Sequence, residues 1–212
     1  MDINADSMNV KEISAEEIKE SFEKKFPAEQ IIDIKLDHYN GGVRNKKLMA
    51  PHLWVRMKRD SFHEAVRHLS KYGAIHNSVA SGSDLGDEIE VLYHLSLFSE
   101  KFKGQITVTM GVRVPKEDPR YESISDIIPS AVVTEREKQE FLGVIVENIP
   151  DPRRLFLAET GIPENVFPWR WDETGVVAQG FVTEVHKKYP APGSEEEKAL
   201  KKAASENEEG DL

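Results

Sequence analysis

The fold is constrained most strongly by two long runs that follow the two-residue period of a β-strand. In residues 89–98 and again in residues 105–114, apolar side chains recur at every second position. Such strands bury one face, so the runs predict neighbouring strands of a sheet with its core on one side. A turn is expected just before the first run, at residues 84–87. The predicted core positions are Val91, Tyr93, Leu95, Leu97, Ile106, Val108, Met110, Val112 and Val114.

The N-terminal half predicts two helices and two more strands. Ser14 and Glu17 have the spacing of a capping box, which marks the start of the first helix. Asp60 is the expected cap of the second helix, and Gly73 is expected to end it. The two strands are predicted at residues 31–39 and 53–57.

A last helical region is predicted from residue 123 onward. Pro129 interrupts it, so the main helix is expected over residues 130–142. Residues 81–83 predict only a turn of small side chains. This mixture of strands and helices is typical of an α+β fold with a mainly antiparallel sheet and helices packed on one face.

We predict one domain with an extension at each end. The domain covers residues 13–172 and follows an N-terminal extension at residues 1–12. An extended C-terminal segment and charged tail follow at residues 173–212. From Ser194 onward the tail carries seven acidic residues against three lysines. Such a tail is expected to lack order on its own, so we expect another chain to hold it.

Cysteine is absent from all 212 residues. These residues therefore form no disulfide, thiolate metal site, cysteine nucleophile or cysteine-ligated iron–sulfur cluster. The net charge of −10 argues against nucleic acid and anionic lipid as partners, because both require a basic surface. The apolar runs are all shorter than the ~18–20 residues that span a bilayer. Any membrane link is therefore expected to run through partner subunits.

Motifs that would carry catalysis are missing from the sequence. It contains no Walker loop, no G-x-G-x-x-G dinucleotide fingerprint and no G-x-S-x-G nucleophile elbow. Its seven histidines lack the spacing of a metal site on a helix or strand. We therefore predict no catalytic, cofactor-binding or metal-binding residue. A free-standing enzyme that uses surface carboxylates stays an alternative, and gel filtration with an activity assay of the isolated chain would test it.

Two adjacent charged stretches are candidates for docking a partner. The trio at residues 135–137 lies on the predicted helix, where Arg136 can pair with Glu140 one turn later. The loop at residues 150–154 holds two prolines, which prevent a regular helix, and two arginines; an apolar triplet follows at residues 155–157. Arginine binds carboxylates and stacks on aromatic rings, which suits an interface. A plain surface loop, with its arginines paired to acids of this chain, is the other interpretation that the residues leave open.

Six short motifs in a fixed order resemble the 30-kilodalton subunit family of respiratory complex I. The same family supplies a subunit to energy-converting membrane-bound nickel–iron hydrogenases and to related sulfur-reducing complexes. The resemblance covers roughly residues 31–172, and its specificity comes from the order and spacing of the motifs. The motifs are Tyr93-His94-Leu95-Ser96-Leu97, Val112-Arg113-Val114-Pro115 with Asp118-Pro119, Ser123-Ile124-Ser125-Asp126-Ile127-Ile128-Pro129-Ser130-Ala131, Glu135-Arg136-Glu137, Phe141-Leu142-Gly143-Val144 and Pro150-Asp151-Pro152-Arg153-Arg154-Leu155-Phe156-Leu157.

The resemblance implies a peripheral-arm subunit without a cofactor of its own. It implies docking on the large catalytic subunit and the iron–sulfur small subunit, at the cytoplasmic face of the membrane. Iron–sulfur clusters, and a nickel–iron centre where one exists, would belong to those partners, and no activity is expected from this chain alone. We expect charge reversal at Arg153 and Arg154 to weaken docking and spare the fold. The predicted interface residues are Glu135, Arg136, Glu137, Gly143, Pro150, Asp151, Arg153, Arg154, Leu155 and Phe156.

Four positions depart from the usual pattern of that family. The family usually has aspartate in place of Glu140, an aromatic residue in place of Leu142, histidine in place of Ile149 and leucine in place of Pro152. The Pro-Asp-Pro-Arg form and the Leu-Gly pair look more like the hydrogenase branch than the quinone-reducing branch. A ferredoxin-linked hydrogenase or sulfur reductase of the complex I lineage is therefore the first hypothesis. The same role in an NADH- or other donor:quinone oxidoreductase is the alternative.

Overall fold

The structure, a computed structural model, describes residues 13–41, 48–97, 105–157, 162–176, 178–180 and 198. Its helices are α1 (Ala15–Lys25), α2 (Arg59–Leu69) and α3 (Ala131–Leu142). Its strands are β1 (Ile31–Gly41), β2 (Leu48–Lys58), β3 (Ile75–Asp84), β4 (Glu88–Leu97), β5 (Ile106–Pro115), β6 (Arg120–Glu122) and β7 (Ile145–Glu147).

Five of the strands form one sheet, in the order β1-β2-β5-β4-β3. Neighbouring strands are antiparallel except β2 and β5, which run parallel at the centre of the sheet. β6 and β7 form a separate two-stranded parallel sheet. The mainly antiparallel sheet predicted from the sequence is confirmed, while the parallel pair at its centre and the small second sheet were not foreseen.

The core lies on one side of the five-stranded sheet. The apolar positions predicted for β4 and β5 are buried there, as expected. α1 packs near β1 and β2, α2 near β2 and β5, and α3 against β3. Phe62 of α2 contacts Tyr93 with ring centroids 5.5 Å apart, and Glu135 of α3 reaches the hydroxyl of the same tyrosine. Because each large apolar side chain that is fully buried contributes about 1.5–3 kcal/mol, this face supplies most of the driving force for folding.

The helix starts follow the sequence prediction closely at α1 and less closely at α2. The amide of Glu17 donates to the Ser14 hydroxyl at 3.1 Å, and the Ser14 amide donates to the Glu17 carboxylate at 2.8 Å. This reciprocal pair confirms the capping box. At α2 the N-cap is Lys58, and Asp60 lies in the first turn, where its charge favours the helix dipole. Gly73 ends the short helical turn that follows α2.

The prediction of a turn at residues 81–83 was wrong, because these residues belong to β3. This strand lies at the edge of the sheet and has an irregular register between Asn77 and Val79. The irregularity and the small polar side chains hide the two-residue period that marks β4 and β5. The turn predicted at residues 84–87 is confirmed as the link between β3 and β4.

The helical region predicted at residues 123–128 was also wrong, because the chain makes a turn there. The amide of Ile124 donates to the Glu135 carboxylate at 2.9 Å, and the amide of Ser125 donates to the Ser123 hydroxyl at 3.1 Å. Side-chain acceptors of this kind compete with the carbonyls that a helix would use. The regular helix in this part of the chain is therefore α3 alone.

Beyond α3 the described chain is mostly irregular, as predicted for the segment around Pro150. Most of the predicted C-terminal segment and tail, and with it the expectation that another chain holds the tail, lies outside the described residues. The same is true of the N-terminal extension. Of the helices in the described ranges, none is long and apolar enough to cross a membrane.

Candidate docking surface

Residues 151–157, which we call the docking loop, are fixed to α3 from one side by Arg136. Its guanidinium donates from Nε to the carbonyl of Arg153 and from Nη2 to the carbonyl of Arg154, both at 2.8 Å. Its Nη1 lies 3.3 Å from the Asp151 carboxylate. A single helical side chain therefore contacts three residues of the docking loop, two through charge-assisted hydrogen bonds to backbone carbonyls and one through an ion pair.

Glu140, one helical turn after Arg136, fixes the docking loop from the other side. Its buried carboxylate accepts three consecutive amides, from Leu155 at 3.2 Å, Phe156 at 2.8 Å and Leu157 at 2.5 Å. Hydrogen bonds to a charged group contribute about 1.5–3 kcal/mol each. Arg136 and Glu140 share a helix face, as predicted, but they bond to the loop rather than to each other. We call these two side chains the clamp.

Arg153 is the most exposed charged group of the docking loop, with 82% of its side chain accessible. Its Nε and Nη2 donate to the two carboxylate oxygens of Asp151, both at 2.8 Å, and its amide donates to Oδ1 at 3.1 Å. These hydrogen bonds from Arg153 hold the pKa of Asp151 well below its usual range. The positive charge of Arg153 is thus balanced within the loop.

Arg154 has a different role, because its guanidinium points into the chain. Nη1 donates to the carbonyl of Ile162 at 2.7 Å and Nη2 to that of Pro163 at 3.2 Å. These bonds join the docking loop to the segment that follows it. Charge reversal at Arg154 is therefore expected to disturb the fold, in contrast to the expectation from sequence that reversal at Arg153 and Arg154 spares it.

Glu135 lies on the inner face of α3 and is fully buried. It accepts hydrogen bonds from the Tyr93 hydroxyl at 3.1 Å, the Ser123 hydroxyl at 2.7 Å and the Ile124 amide at 2.9 Å. Burial raises the pKa of this carboxyl, and the three hydrogen bonds offset that only in part. Glu135 therefore ties α3 to β4 and to the turn at residues 123–128.

A group of aromatic rings lies beside the docking loop. The Trp169 ring stacks on Phe141 with centroids 4.7 Å apart, and Phe156 lies 6.0 Å from the same ring. Nζ of the buried Lys138 lies 4.6 Å from the Trp169 ring and 2.5 Å from the Glu137 carboxylate. Phe156 is 61% exposed and Trp169 is 40% exposed. Phe156 and Trp169 are thus large exposed rings that both lie against Phe141.

Gly143 ends α3 and lets the following segment close on the helix. Its φ of 67° is left-handed, and a Cβ there would lie 2.5 Å from the ring of Phe167. Beside it, Nε of Arg170 donates to the carbonyl of Leu142 at 2.7 Å. Glycine is needed both for the backbone angle and for the close approach of the ring.

Replacing Gly143 with alanine is expected to lower the free energy of unfolding by about 2 kcal/mol, through backbone strain and contact with Phe167. Gly180 is the matched control, since its φ is 75° and a Cβ there would meet no atom of the described residues within 4 Å. Gly180→Ala should lower the free energy of unfolding by about 1 kcal/mol. Urea denaturation of both variants measures the difference, and equal losses would show that the Phe167 contact contributes nothing.

The structure gathers the predicted interface residues around α3 and the docking loop, with different exposures. Arg153, Pro150 and Phe156 are exposed, while Glu135 faces the core. The remaining six are half-buried: Arg136, Glu137, Gly143, Asp151, Arg154 and Leu155. Their role in docking stays a prediction. Phe141 and Trp169 are absent from the predicted site residues, although Phe141 lies in one of the six motifs and the aromatic content of the stretch after Pro163 was a signal for Trp169.

A cleft of about 340 Å³ separates α3 and the docking loop from Phe167. The guanidinium groups of Arg136 and Arg154 on its walls are engaged with backbone carbonyls. Across the part of the chain that the structure describes, no group of three or more His, Asp or Glu side chains is placed to hold a metal ion.

Comparison with known proteins points to one family. Residues 55–176 match the family described as respiratory-chain NADH dehydrogenase, 30 Kd subunit. The chain is 32% identical over 163 residues to membrane-bound hydrogenase subunit beta of Pyrococcus furiosus. This match covers 76% of this chain and 87% of that protein. The chain is also 30% identical over 115 residues to NADH-quinone oxidoreductase subunit 5 of Thermus thermophilus. This match covers 50% of this chain and 56% of that protein.

A solved structure described as the membrane-bound sulfane sulfur reductase, an archaeal respiratory membrane complex, contains a chain of similar fold. The TM-score is 0.53 at 22% identity, over 84% of this chain and 91% of that chain. The family match spans more than half of this chain and includes both α3 and the docking loop. It confirms the resemblance drawn from the six motifs. The chain belongs to the respiratory-chain NADH dehydrogenase 30 Kd subunit family, whose relatives named above are subunits of a membrane-bound hydrogenase and of an NADH-quinone oxidoreductase.

Proposed function

We propose that the chain is a structural subunit, with no cofactor of its own, in the peripheral arm of a membrane-bound, energy-converting redox complex. It docks on the large catalytic subunit and on the iron–sulfur small subunit of that complex. It lies at the cytoplasmic face and reaches the membrane only through these partners. The iron–sulfur clusters, and the nickel–iron centre where one exists, are held by the partners.

The observation that carries this proposal is the clamp on the docking loop. Arg136 and Glu140 satisfy both the carbonyls and the amides of an irregular segment, so the loop is ordered before a partner arrives. Order before binding reduces the entropy that association costs. The clamped loop presents Phe156 and Arg153, and aromatic rings and arginine are enriched at interfaces. The absence of cysteine supports the part of the proposal that concerns cofactors.

Within this class we place the hydrogenase or sulfur reductase first. The hydrogenase subunit of Pyrococcus furiosus matches 76% of this chain, whereas the NADH-quinone oxidoreductase subunit of Thermus thermophilus matches 50%. The quinone oxidoreductase stays the second candidate, because its subunit is 30% identical over the matched part. The large subunit encoded beside this chain discriminates them, since two Cys-x-x-Cys motifs in it indicate a hydrogenase.

Preparing the complex without this chain tests the proposal. We expect assembly and turnover to fall at least about tenfold and to return when the wild-type chain is supplied. Phe156→Ala should bind about tenfold more weakly, because a truncated interface anchor costs more than 1 kcal/mol. Val133→Ala, at an exposed position of α3, is the matched control and should restore the complex fully. Full assembly and turnover without the chain would contradict the scaffold role.

A further inference from the structure

The aromatic rings beside the docking loop belong to a larger exposed apolar surface. Beyond Phe156 and Trp169, it includes Trp171 at 55% exposure and Leu85 at 48%. The amide of Trp171 donates to the Asp84 carboxylate at 3.0 Å, which places this tryptophan next to the β3–β4 turn that carries Leu85. We call Leu85, Phe141, Phe156, Trp169 and Trp171 the aromatic patch. Four of these five side chains, all except the half-buried Phe141, are exposed, and large apolar groups that lie together at a surface indicate an interaction site.

The cationic side chains near these rings are paired within the chain. Each has a carboxylate partner within 3.3 Å, so none of them is free for an acidic partner, and the exposed carboxylates of Asp87 and Glu173 lie close by in the sequence. The pairs are Arg153 with Asp151 at 2.8 Å, Lys138 with Glu137 at 2.5 Å, Arg170 with Asp172 at 3.3 Å and Lys116 with both Asp84 and Asp172 at 2.7 Å.

The pairing of Lys116 also explains how Trp171 is held. Burial pushes the pKa of Asp84 up, but the hydrogen bonds from Lys116 and from the amides of Trp171 and Gly86 outweigh it and keep that pKa below its usual value. The carboxylate therefore stays ionised and keeps its bond to Trp171 near neutral pH. The backbone that carries the Trp171 ring is therefore fixed by this hydrogen bond.

We infer that the aromatic patch binds an uncharged, apolar surface of a partner subunit, and that Arg153 meets this surface by stacking rather than by binding a carboxylate. The inference rests on the proposed function and names the chemistry of its partner. The geometry at Arg153 carries it, since Nε and Nη2 are both engaged with Asp151. The flat face of the guanidinium is left for an aromatic ring or a carbonyl, which arginine contacts readily.

An acidic partner fits this site poorly for a second reason. A carboxylate that approached Arg153 would come close to the Asp151 carboxylate, and like charges within a few ångströms repel. An apolar partner meets no such repulsion. The cores of protein interfaces are depleted of charged residues and enriched in aromatic residues, which matches the composition of the patch.

Salt provides the first arm of the test. The purified complex is immobilised through a tag on another subunit, and the release of this chain is followed at 0.1 M and 1 M NaCl. Salt screens charge pairs, because the Debye length falls from about 10 Å to about 3 Å over this range. We expect the dissociation rate to change less than about threefold. An increase of about tenfold or more in 1 M salt would overturn the inference, whereas rapid release at both concentrations would overturn the proposed function as well.

Asp151→Asn provides the second arm, because the two kinds of partner predict opposite signs. The asparagine keeps the size of the side chain and an acceptor for the Arg153 amide, but it leaves the Arg153 guanidinium charge unbalanced and loses the ion pair with Arg136. Against an apolar surface that charge should weaken binding, by about tenfold. An acidic partner would instead gain a free arginine and bind more tightly. Equal or tighter binding, with an unchanged melting temperature of the isolated variant, would overturn the inference.

Discussion

Replacing Glu135 with alanine is expected to lower the free energy of unfolding by about 4 kcal/mol, because it leaves buried donors without their acceptor. The carboxylate serves the Tyr93 hydroxyl, the Ser123 hydroxyl and the Ile124 amide at once. Without Glu135, the hydroxyls of Tyr93 and Ser123 still have the hydroxyls of Tyr121 and Ser125 as hydrogen-bond partners, whereas the backbone amide of Ile124 cannot rotate towards another acceptor. Urea denaturation, followed by far-UV circular dichroism, measures the loss.

Glu117 provides the control for this experiment. It is an exposed carboxylate between β5 and β6, and Glu117→Ala should change the free energy of unfolding by less than about 0.5 kcal/mol. A loss below about 1 kcal/mol for Glu135→Ala would mean that the buried network is not what ties α3 to the sheet.

The pH dependence of Glu135→Gln checks the protonation state of the same group. Burial raises the pKa of Glu135, so the fold favours the neutral carboxyl. Its contribution to stability is full below the pKa of the unfolded chain and is lost as pH rises through the pKa of the folded one. Glutamine resembles the neutral form and does not titrate. Relative to wild type, Glu135→Gln should therefore gain stability as pH rises from the pKa of the unfolded chain through that of the folded one, and a constant difference would contradict the assignment.

Replacing Glu140 with alanine is expected to release the docking loop. Three amides lose a charged acceptor, and we expect a loss of about 3 kcal/mol, confined largely to residues 151–157. Hydrogen exchange at Phe156 and Leu157 should accelerate at least about tenfold, and binding to the rest of the complex should weaken by a similar factor. Exchange measured by mass spectrometry or NMR resolves the loop from the core.

Glu164 is the matched control for the clamp, since it lies on the cleft beside the docking loop and is exposed. Glu164→Ala should leave both exchange and binding within about twofold of wild type. Glu140→Gln keeps one acceptor oxygen without the charge and should fall between alanine and wild type. Unchanged exchange in Glu140→Ala would show that the loop is ordered by other contacts.

The sequence predicts the sheet well where strands bury one face and poorly where they do not. β4 and β5 alternate with a strict period because their inner faces form the core. β3 lies at the edge with an irregular register, and its small side chains at residues 81–83 resemble those of a turn. The parallel pairing of β2 with β5 depends on how distant segments meet, which no local pattern encodes.

The candidate site was predictable in its location and only partly in its chemistry. The helix at residues 130–142 and the irregular loop after Pro150 were both recognised. Ala131, Glu135, Lys138 and Leu142 form one buried stripe of α3, so two charged residues occupy core positions where apolar ones are normal. That conflict in the helical pattern was the available signal for the buried network.

The partners of the clamp lay beyond local reasoning. Arg136 and Glu140 are spaced for a pair on an isolated helix, and only the folded chain brings the loop backbone within reach of both. Arg154 likewise reads as a free surface charge until Ile162 and Pro163 are placed beside it. Long-range contacts of this kind decide which arginine is available for docking.

The most direct test of the central claim is the composition of the complex that purifies with this chain. An affinity tag on the chain, used on gently solubilised membranes of its own host, should recover a large catalytic subunit and an iron–sulfur small subunit in equal amounts. Iron should be found in those partners, while the chain dissociated from them should carry none. Recovery of the chain alone, or with unrelated proteins only, would contradict its assignment as a subunit of a membrane-bound redox complex.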